Sequence, residues 1–200
     1  MKTFTEYWNG NWPKTVPIAM HIRDDYHERW FRIHSLPQSK RYAYADEEWA
    51  ILLNRQNTLI TELLGEQAEF YLVTGRYFST NPEITCLEQE YHQLACFRDC
   101  HFTEMTSIDL GEWYPHHYDA DDGTHFVPAV ARLRWKRNQY DTILKSIADD
   151  ETRAAFVGIA SPRIIAPYDG GVDCFVENEE LAVDYKRKFK DWLSSLKSGL

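Results

Sequence analysis

The chain has 200 residues, of which 44% are hydrophobic and 14% aromatic, and its formal net charge at pH 7 is -9. This composition excludes a disordered chain, no apolar run approaches the roughly 18 residues of a membrane span, and the acidic balance argues against a general nucleic-acid binder. The N-terminus lacks the apolar segment and cleavage site of a secretory signal. We therefore expect a single soluble domain over residues 1–200, located in the cytoplasm.

The first third of the chain predicts two strands and a long helix. Hydrophobic and polar residues alternate over 17–23 and again over 29–35, which predicts a β-hairpin turned by two aspartates. From Asp46, a candidate N-cap, apolar residues repeat every three or four positions up to Gly65. This spacing predicts a helix over 47–64.

The remaining elements follow from the same periodicities and from the turn formers between them. The predicted strands are 70–73, 94–97, 102–108, 126–135, 155–160 and 172–176, and the predicted helices are 81–93, 141–155 and 179–196. Residues 111–124 are rich in Pro, Gly and Asp and are expected to form the longest loop. This irregular order of strands and helices indicates an α+β fold with a mixed or largely antiparallel sheet and helices on one face.

Acidic residues are concentrated in one middle segment. Residues 83–125 contain ten Asp and Glu against Arg98 alone, which matches the net charge of the whole chain. Such a surface is complementary to a basic partner, so we expect Asp119, Asp121 and Asp122 to contact a basic protein. The leading hypothesis is a noncatalytic binding or interaction protein with no nucleic-acid and no membrane partner, and the sequence leaves its oligomeric state open.

Basic residues gather in two islands, 29–42 and 132–137. If the strands 17–23, 29–35 and 126–136 share one sheet, alternation places their basic side chains on one face, beside two more in the following loop. So much like charge needs compensation, either from the chain's own acidic loop or from a bound small anion. The predicted anion-binding residues are His21, Arg23, Arg32, His34, Lys40, Arg41, Arg132, Arg134 and Lys136.

This basic face also supports an alternative hypothesis, an enzyme that acts on a small phosphate- or carboxylate-bearing substrate. His34 or His21 would then serve as acid or base, and the arginines would bind the anion. Against an enzyme, the chain has no Gly-x-Ser-x-Gly, no Gly-x-Gly-x-x-Gly and no phosphate-loop motif.

Two groups of residues have the residue types of a metal site but not the sequence spacing that known zinc or calcium sites require. They are His92, Cys96, Cys100 and His101, and the loop histidines His116, His117 and His125. The first group lacks a second compact pair of ligands, and the second lacks the terminal Glu of a calcium loop. We predict no metal and no cofactor, with buried thiols and a solvated acidic loop as the simpler interpretation.

Four segments of the chain carry a resemblance to known proteins. They are Arg32–Tyr42, with the pattern Arg-x-His-x-Leu-Pro-x-Ser-Lys-Arg-Tyr, then Leu53–Ile60, then Pro167–Asp173, with the pattern Pro-Tyr-Asp-Gly-Gly-x-Asp, and the ending from Asp191 to Leu200. Together they resemble a family of uncharacterised bacterial proteins of about this length. The resemblance implies a single-domain cytoplasmic bacterial protein and assigns no catalytic residues. The chain is more loosely similar to domains suspected of serving as toxin-immunity proteins.

Overall fold

A computed structural model describes residues 3–84 and 91–194 of the chain. Within these ranges the α-helices are α1 Phe4–Asn11, α2 Ala19–Asp25, α3 Asp46–Leu64, α4 Leu110–Trp113, α5 Asp141–Ala148 and α6 Glu179–Lys188. The strands are β1 Trp30–His34, β2 Glu69–Ser79, β3 Thr103–Glu104, β4 Ile108–Asp109, β5 Thr124–Arg134, β6 Ala155–Gly158, β7 Ile164–Pro167 and β8 Gly171–Phe175. None of the helices in these ranges is long and apolar enough to cross a membrane.

All eight strands belong to one sheet with the order β1-β8-β7-β6-β2-β5-β3, and β4 also pairs with β5. Each of these strand pairs is antiparallel. The predicted α+β fold with a largely antiparallel sheet is confirmed.

The sheet is covered on both faces. On one face the strands pack against α3, α5 and α6, as expected, and this core includes Phe31, Phe70, Phe156, Leu59 and Ile147. On the other face they pack against α1, α2 and the segment between them, and this second core includes Trp30, Tyr71, Ile164, Trp8, Trp12 and Ile22. Near-continuous burial along β5, β7 and β8 follows, because their side chains meet apolar groups on both sides.

Several predicted elements have different structures. The 17–23 hairpin strand is wrong, since this segment forms α2, and Ile18 and Ile22 share one side of a helix at a spacing of four. β1 instead pairs with β8. Residues 95–97 form a 3-10 turn rather than a strand, and the strand predicted over 102–108 shortens to β3 and β4.

The predicted helices also differ in extent. The helix over 141–155 ends at Ala148, and the one over 179–196 ends at Lys188, where a 3-10 turn at Lys190–Trp192 follows. Of the helix predicted over 81–93, Tyr91–Gln93 forms a 3-10 turn and residues 85–90 lie outside the described ranges, as do residues 195–200.

Two neighbours of β2 differ greatly in length. β2 pairs with β5 over all eleven residues from Glu69 to Ser79, whereas β6 pairs only with Phe70–Val73. From Thr74 onward, therefore, the β6 side of β2 has no strand beside it among the described residues. At this point the Thr74 hydroxyl donates to the carbonyl of Arg153, 2.7 Å away, just before the chain enters β6.

The edge strand β1 bonds to β8 through every second residue. The Val176 amide donates to the Arg29 carbonyl, and the Ser35 amide donates to the Gly170 carbonyl, so the backbone groups of the residues at even positions point outward. Two of these outward groups have local partners. The Trp30 amide donates to the His27 carbonyl, and the His34 carbonyl accepts from Arg55 Nη1 at 2.9 Å.

Candidate functional site

An open cleft of about 660 Å³ lies against the edge of β2 at the point where β6 ends and β2 continues, and α2 forms one of its walls. Its walls come from residues 17–20 and Arg23 around α2, 73–77 of β2, Asp150 and 152–155 at the start of β6, and 166–168 at the end of β7. The unequal lengths of β2 and β6 thus leave a concave surface beside a rigid sheet, a common setting for small-molecule binding.

A buried ion pair lies at one side of this cleft. Arg32 donates from Nε to Asp173 Oδ1 at 2.7 Å and from Nη2 to Asp173 Oδ2 at 2.9 Å, while Trp30 Nε1 donates to Oδ1 at 2.8 Å. The side chains of Arg32 and Asp173 are only 12% and 9% exposed. The guanidinium also stacks over the Tyr168 ring, with 4.7 Å to the centroid. Asp173 therefore has three donors, which offset the cost of burying its charge.

The segments Arg32–Tyr42 and Pro167–Asp173, already joined by the Arg32–Asp173 ion pair, make a second contact at Asp169. Arg41 and Tyr42, which follow β1, both donate to Asp169 Oδ2, and Tyr42 does so at 3.0 Å. Although burial opposes the charged form, the hydrogen bonds from Arg41 and Tyr42 lower the pKa of Asp169. The loops after β1 and β7 are consequently locked together beside the cleft.

The sequence profile described as Domain of unknown function (DUF3885) matches residues 18–197. The chain belongs to the DUF3885 family. The match begins at the start of α2 and includes every strand of the sheet and both motifs that meet at Asp169 and Asp173, whereas α1 lies outside it. The resemblance to an uncharacterised family is thus confirmed. No curated protein and no solved structure is significantly similar to the chain.

In this DUF3885 chain the basic residues predicted to bind an anion do not form one site. The register places Arg32 and Arg134 on the same face, but five strand spacings, roughly 24 Å, separate β1 from β5. Arg132 pairs with Glu69 at 2.7 Å, Arg134 donates to the Gln67 carbonyl at 3.1 Å, and Lys136 is exposed. Of the predicted residues, only Arg23 lines the cleft, with Arg32 behind its wall.

The loop and strand-end members of the predicted set have other roles. Lys40 pairs with Glu48 in the first turn of α3, and this hydrogen bond, together with those from nearby backbone amides, lowers the pKa of Glu48 to about 2. His34 is half-buried, its Nε2 has no partner among the described residues, and burial together with Arg32 lowers its pKa.

His21 is not on the sheet at all. It lies on α2, fully buried, stacked on the Tyr114 ring with 3.7 Å between centroids, and its Nε2 is 3.1 Å from the Tyr118 hydroxyl. Within the described ranges its Nδ1 has no partner. His21 therefore joins α2 to the segment after α4 and does not face the cleft.

The acidic residues predicted to contact a partner lie at a 3-10 turn that contacts α4. Asp119 caps a 3-10 turn by accepting from the Asp121 amide at 3.0 Å, and Asp119 and Asp121 are exposed while Asp122 is half-buried. In the part of the chain that the structure describes, no group of three or more His, Cys, Asp or Glu residues could hold a metal ion. The cysteines and histidines of both candidate groups named in the sequence analysis lie within the described ranges. Burial raises the pKa of Cys96, and it raises the pKa of Cys100 to about 11.

Of the residues that line the cleft, the sequence predicts only Arg23 as a site residue, and those it misses include Thr74, Arg76, Tyr77 and Arg153. Gly75 was the available signal, since a glycine inside a strand often marks a close approach of another group. A Cβ at Gly75 would lie 2.5 Å from both the Phe126 ring and the Val127 carbonyl oxygen. The Phe126 ring therefore occupies the space above Gly75 at the floor of the cleft.

We expect Arg32→Met to destabilise the DUF3885 fold by about 3–5 kcal/mol, because it leaves the buried Asp173 carboxylate without its cation. Arg132→Met, which breaks an exposed pair on the same sheet face, should cost about 1 kcal/mol or less. Urea denaturation of both variants measures the difference. Equal small losses would show that the Arg32–Asp173 pair is not the stronger constraint.

The His21→Gln variant should make stability less sensitive to acid. Burial lowers the pKa of His21 below its ordinary value, and His117 lowers it further against the opposing effect of Asp24 and Asp25. Below about pH 6.5, His21 therefore binds a proton in the unfolded chain but stays neutral in the folded chain. The free energy of unfolding consequently falls as the pH drops toward the pKa of His21 in the folded chain.

Urea midpoints measured from about pH 7.5 to 5 check this slope. The exposed His27→Gln is the matched control and should keep the wild-type slope. An unchanged slope in His21→Gln would contradict the assignment of this proton linkage to His21.

Proposed function

We propose that this DUF3885 protein is a noncatalytic binding protein that takes a small, partly apolar molecule into the cleft beside β2. The observation that carries the proposal is the exposure of two large apolar side chains in one concave surface. Met20 is 46% exposed and Tyr77 is 39% exposed, and both line the cleft. A volume of about 660 Å³ is within the range of pockets that enclose metabolite-sized ligands.

The chemistry of the lining favours binding over catalysis. Its described residues include no histidine, cysteine, serine or lysine. Of its two carboxylates, Asp173 is held by Arg32 and Trp30, and Asp150 pairs with Arg153. The histidines proposed as acid or base for an enzyme, His21 and His34, are not among the lining residues. This arrangement favours the noncatalytic hypothesis over the enzymic one.

A neutral fluorescent dye tests the cleft. We expect N-phenyl-1-naphthylamine to bind the protein with a stoichiometry near one and a rise in fluorescence, because the lining is apolar around Met20 and Tyr77. Ala155→Phe, which places a ring in the cleft, should weaken binding by about tenfold or more.

Val183→Phe is the matched control, since Val183 is exposed on α6, on the opposite side of the sheet, and is absent from the lining. Thermal melting of both variants establishes that they fold. If the dye binds Ala155→Phe as tightly as it binds the wild type, this cleft is not the binding site.

A second candidate function, association with a basic protein, has its own supporting observation. Trp113 on α4 is 46% exposed, and the exposed carboxylates of Glu112, Asp119 and Asp121 lie on α4 and on the 3-10 turn that contacts it. An exposed tryptophan with exposed acids on its own helix and on the adjacent turn has the composition of a protein-binding hot spot for a cationic partner. A cytoplasmic location stays a prediction from the sequence.

The partner surface is tested by retention of basic proteins from native cell lysate on immobilised protein. We expect Trp113→Ser with Asp119→Asn and Asp121→Asn to lose a partner that the wild type retains at low salt and releases at high salt. Glu179→Gln with Glu180→Gln removes the same charge from α6 and should retain it. Equal retention by both variants would refute an interface at α4.

A further inference from the structure

Three arginines line the cleft, and they differ in how firmly the protein holds them. Arg76 binds the Glu104 carboxylate through Nε at 3.0 Å and Nη2 at 3.4 Å. Arg153 pairs with Asp150 and donates from Nη1 to the Thr152 carbonyl. Among the described residues, Arg23 has only a contact of 3.6 Å between its Nε and Asp24 Oδ1, which exceeds hydrogen-bond length. Arg23 is therefore the lining guanidinium with the most donor capacity available to a ligand.

Tyr168 supplies a second donor on the same surface. Its ring is held under the Arg32 guanidinium, and within the described residues its hydroxyl has no hydrogen-bond partner. Burial raises the pKa of Tyr168 to about 12, with the charges of Arg32 and Arg23 partly offsetting the rise. The hydroxyl thus stays protonated at neutral pH and acts as a donor near a cation.

The other part of the cleft is apolar. Met20 and Tyr77 stand exposed at its walls, and Val73 and the Phe126 ring over Gly75 form its floor. A ligand that fills both parts must carry a polar head and an apolar body. Burial of that body supplies the affinity, and the head sets its orientation.

We propose that the cleft takes a small organic acid whose carboxylate binds the Arg23 guanidinium and the Tyr168 hydroxyl, with its apolar body against Met20 and Tyr77. This assignment rests on the proposed binding function. A carboxylate matches the fork of an arginine, and displacing the exposed Asp24 from Arg23 costs little. A doubly charged phosphate fits less well, because one available guanidinium would have to offset it close to Asp173 and Asp150.

Competition against the bound neutral dye tests the head group. Naphthalene-2-carboxylate and naphthalene-2-carboxamide have the same body and differ in charge, and at pH 7 the acid should displace the dye at a concentration about tenfold lower. In Arg23→Gln the two compounds should become equal within about twofold, and Tyr168→Phe should reduce the preference while the dye still binds. Arg187→Gln is the matched control, since Arg187 also lies near an aspartate of its own helix, Asp184, but on α6.

The outcomes separate this proposal from the one on which it rests. If the dye binds but the acid and the amide displace it equally, or if 2-naphthyl phosphate displaces it best, the carboxylate assignment is overturned while the binding function stands. If the dye does not bind the wild type, the binding function itself fails. Loss of the preference in Arg187→Gln as well would show that net charge, and not Arg23, selects the acid.

Discussion

The Arg32–Asp173 pair fixes how the edge of the sheet meets the cleft. Each partner is charged, nearly buried and on directly opposed positions of β1 and β8. A slip of one residue between these strands would turn Arg32 toward the core under α3, α5 and α6 and leave Asp173 unpaired on the other face. The cost of such an uncompensated charge makes the pair a constraint on strand register as well as a contact. Tyr168 and the wall it provides depend on that register.

Strand length determines where the cleft lies. β2 continues for six residues beyond its pairing with β6, and both α2 and residues 150–154, which lead into β6, border the resulting gap. The floor is thus part of a strand that pairs with β5 over its whole length, whereas the walls come from a short helix and a loop. Such a site combines a rigid base with side chains free to adjust to a ligand.

How much of this the sequence predicts depends on how local each feature is. The helix over 46–64 is long and ends at a glycine with a φ of 93°, so its pattern identifies it. Residues 17–23 are too short to separate a period of two from a spacing of four, and β7 has only four residues and ends at Pro167. The motif after β7, Pro167–Asp173, is visible in the sequence as a part of the family resemblance. Its partners and the cleft were not predictable, because strand order brings together residues more than a hundred positions apart.

The capping of β1 has a consequence for the behaviour of the protein at high concentration. An open edge strand offers its amides and carbonyls as a template to a second chain, and long flat edges lead to fibrils. Here the His27 carbonyl and the Arg55 side chain occupy the backbone groups at the two ends of β1, and Arg32 lies between them. These contacts shorten the stretch of the β1 edge with which a foreign strand could pair. The β1 edge is thereby a poorer template for edge-to-edge pairing than an uncapped strand of the same length.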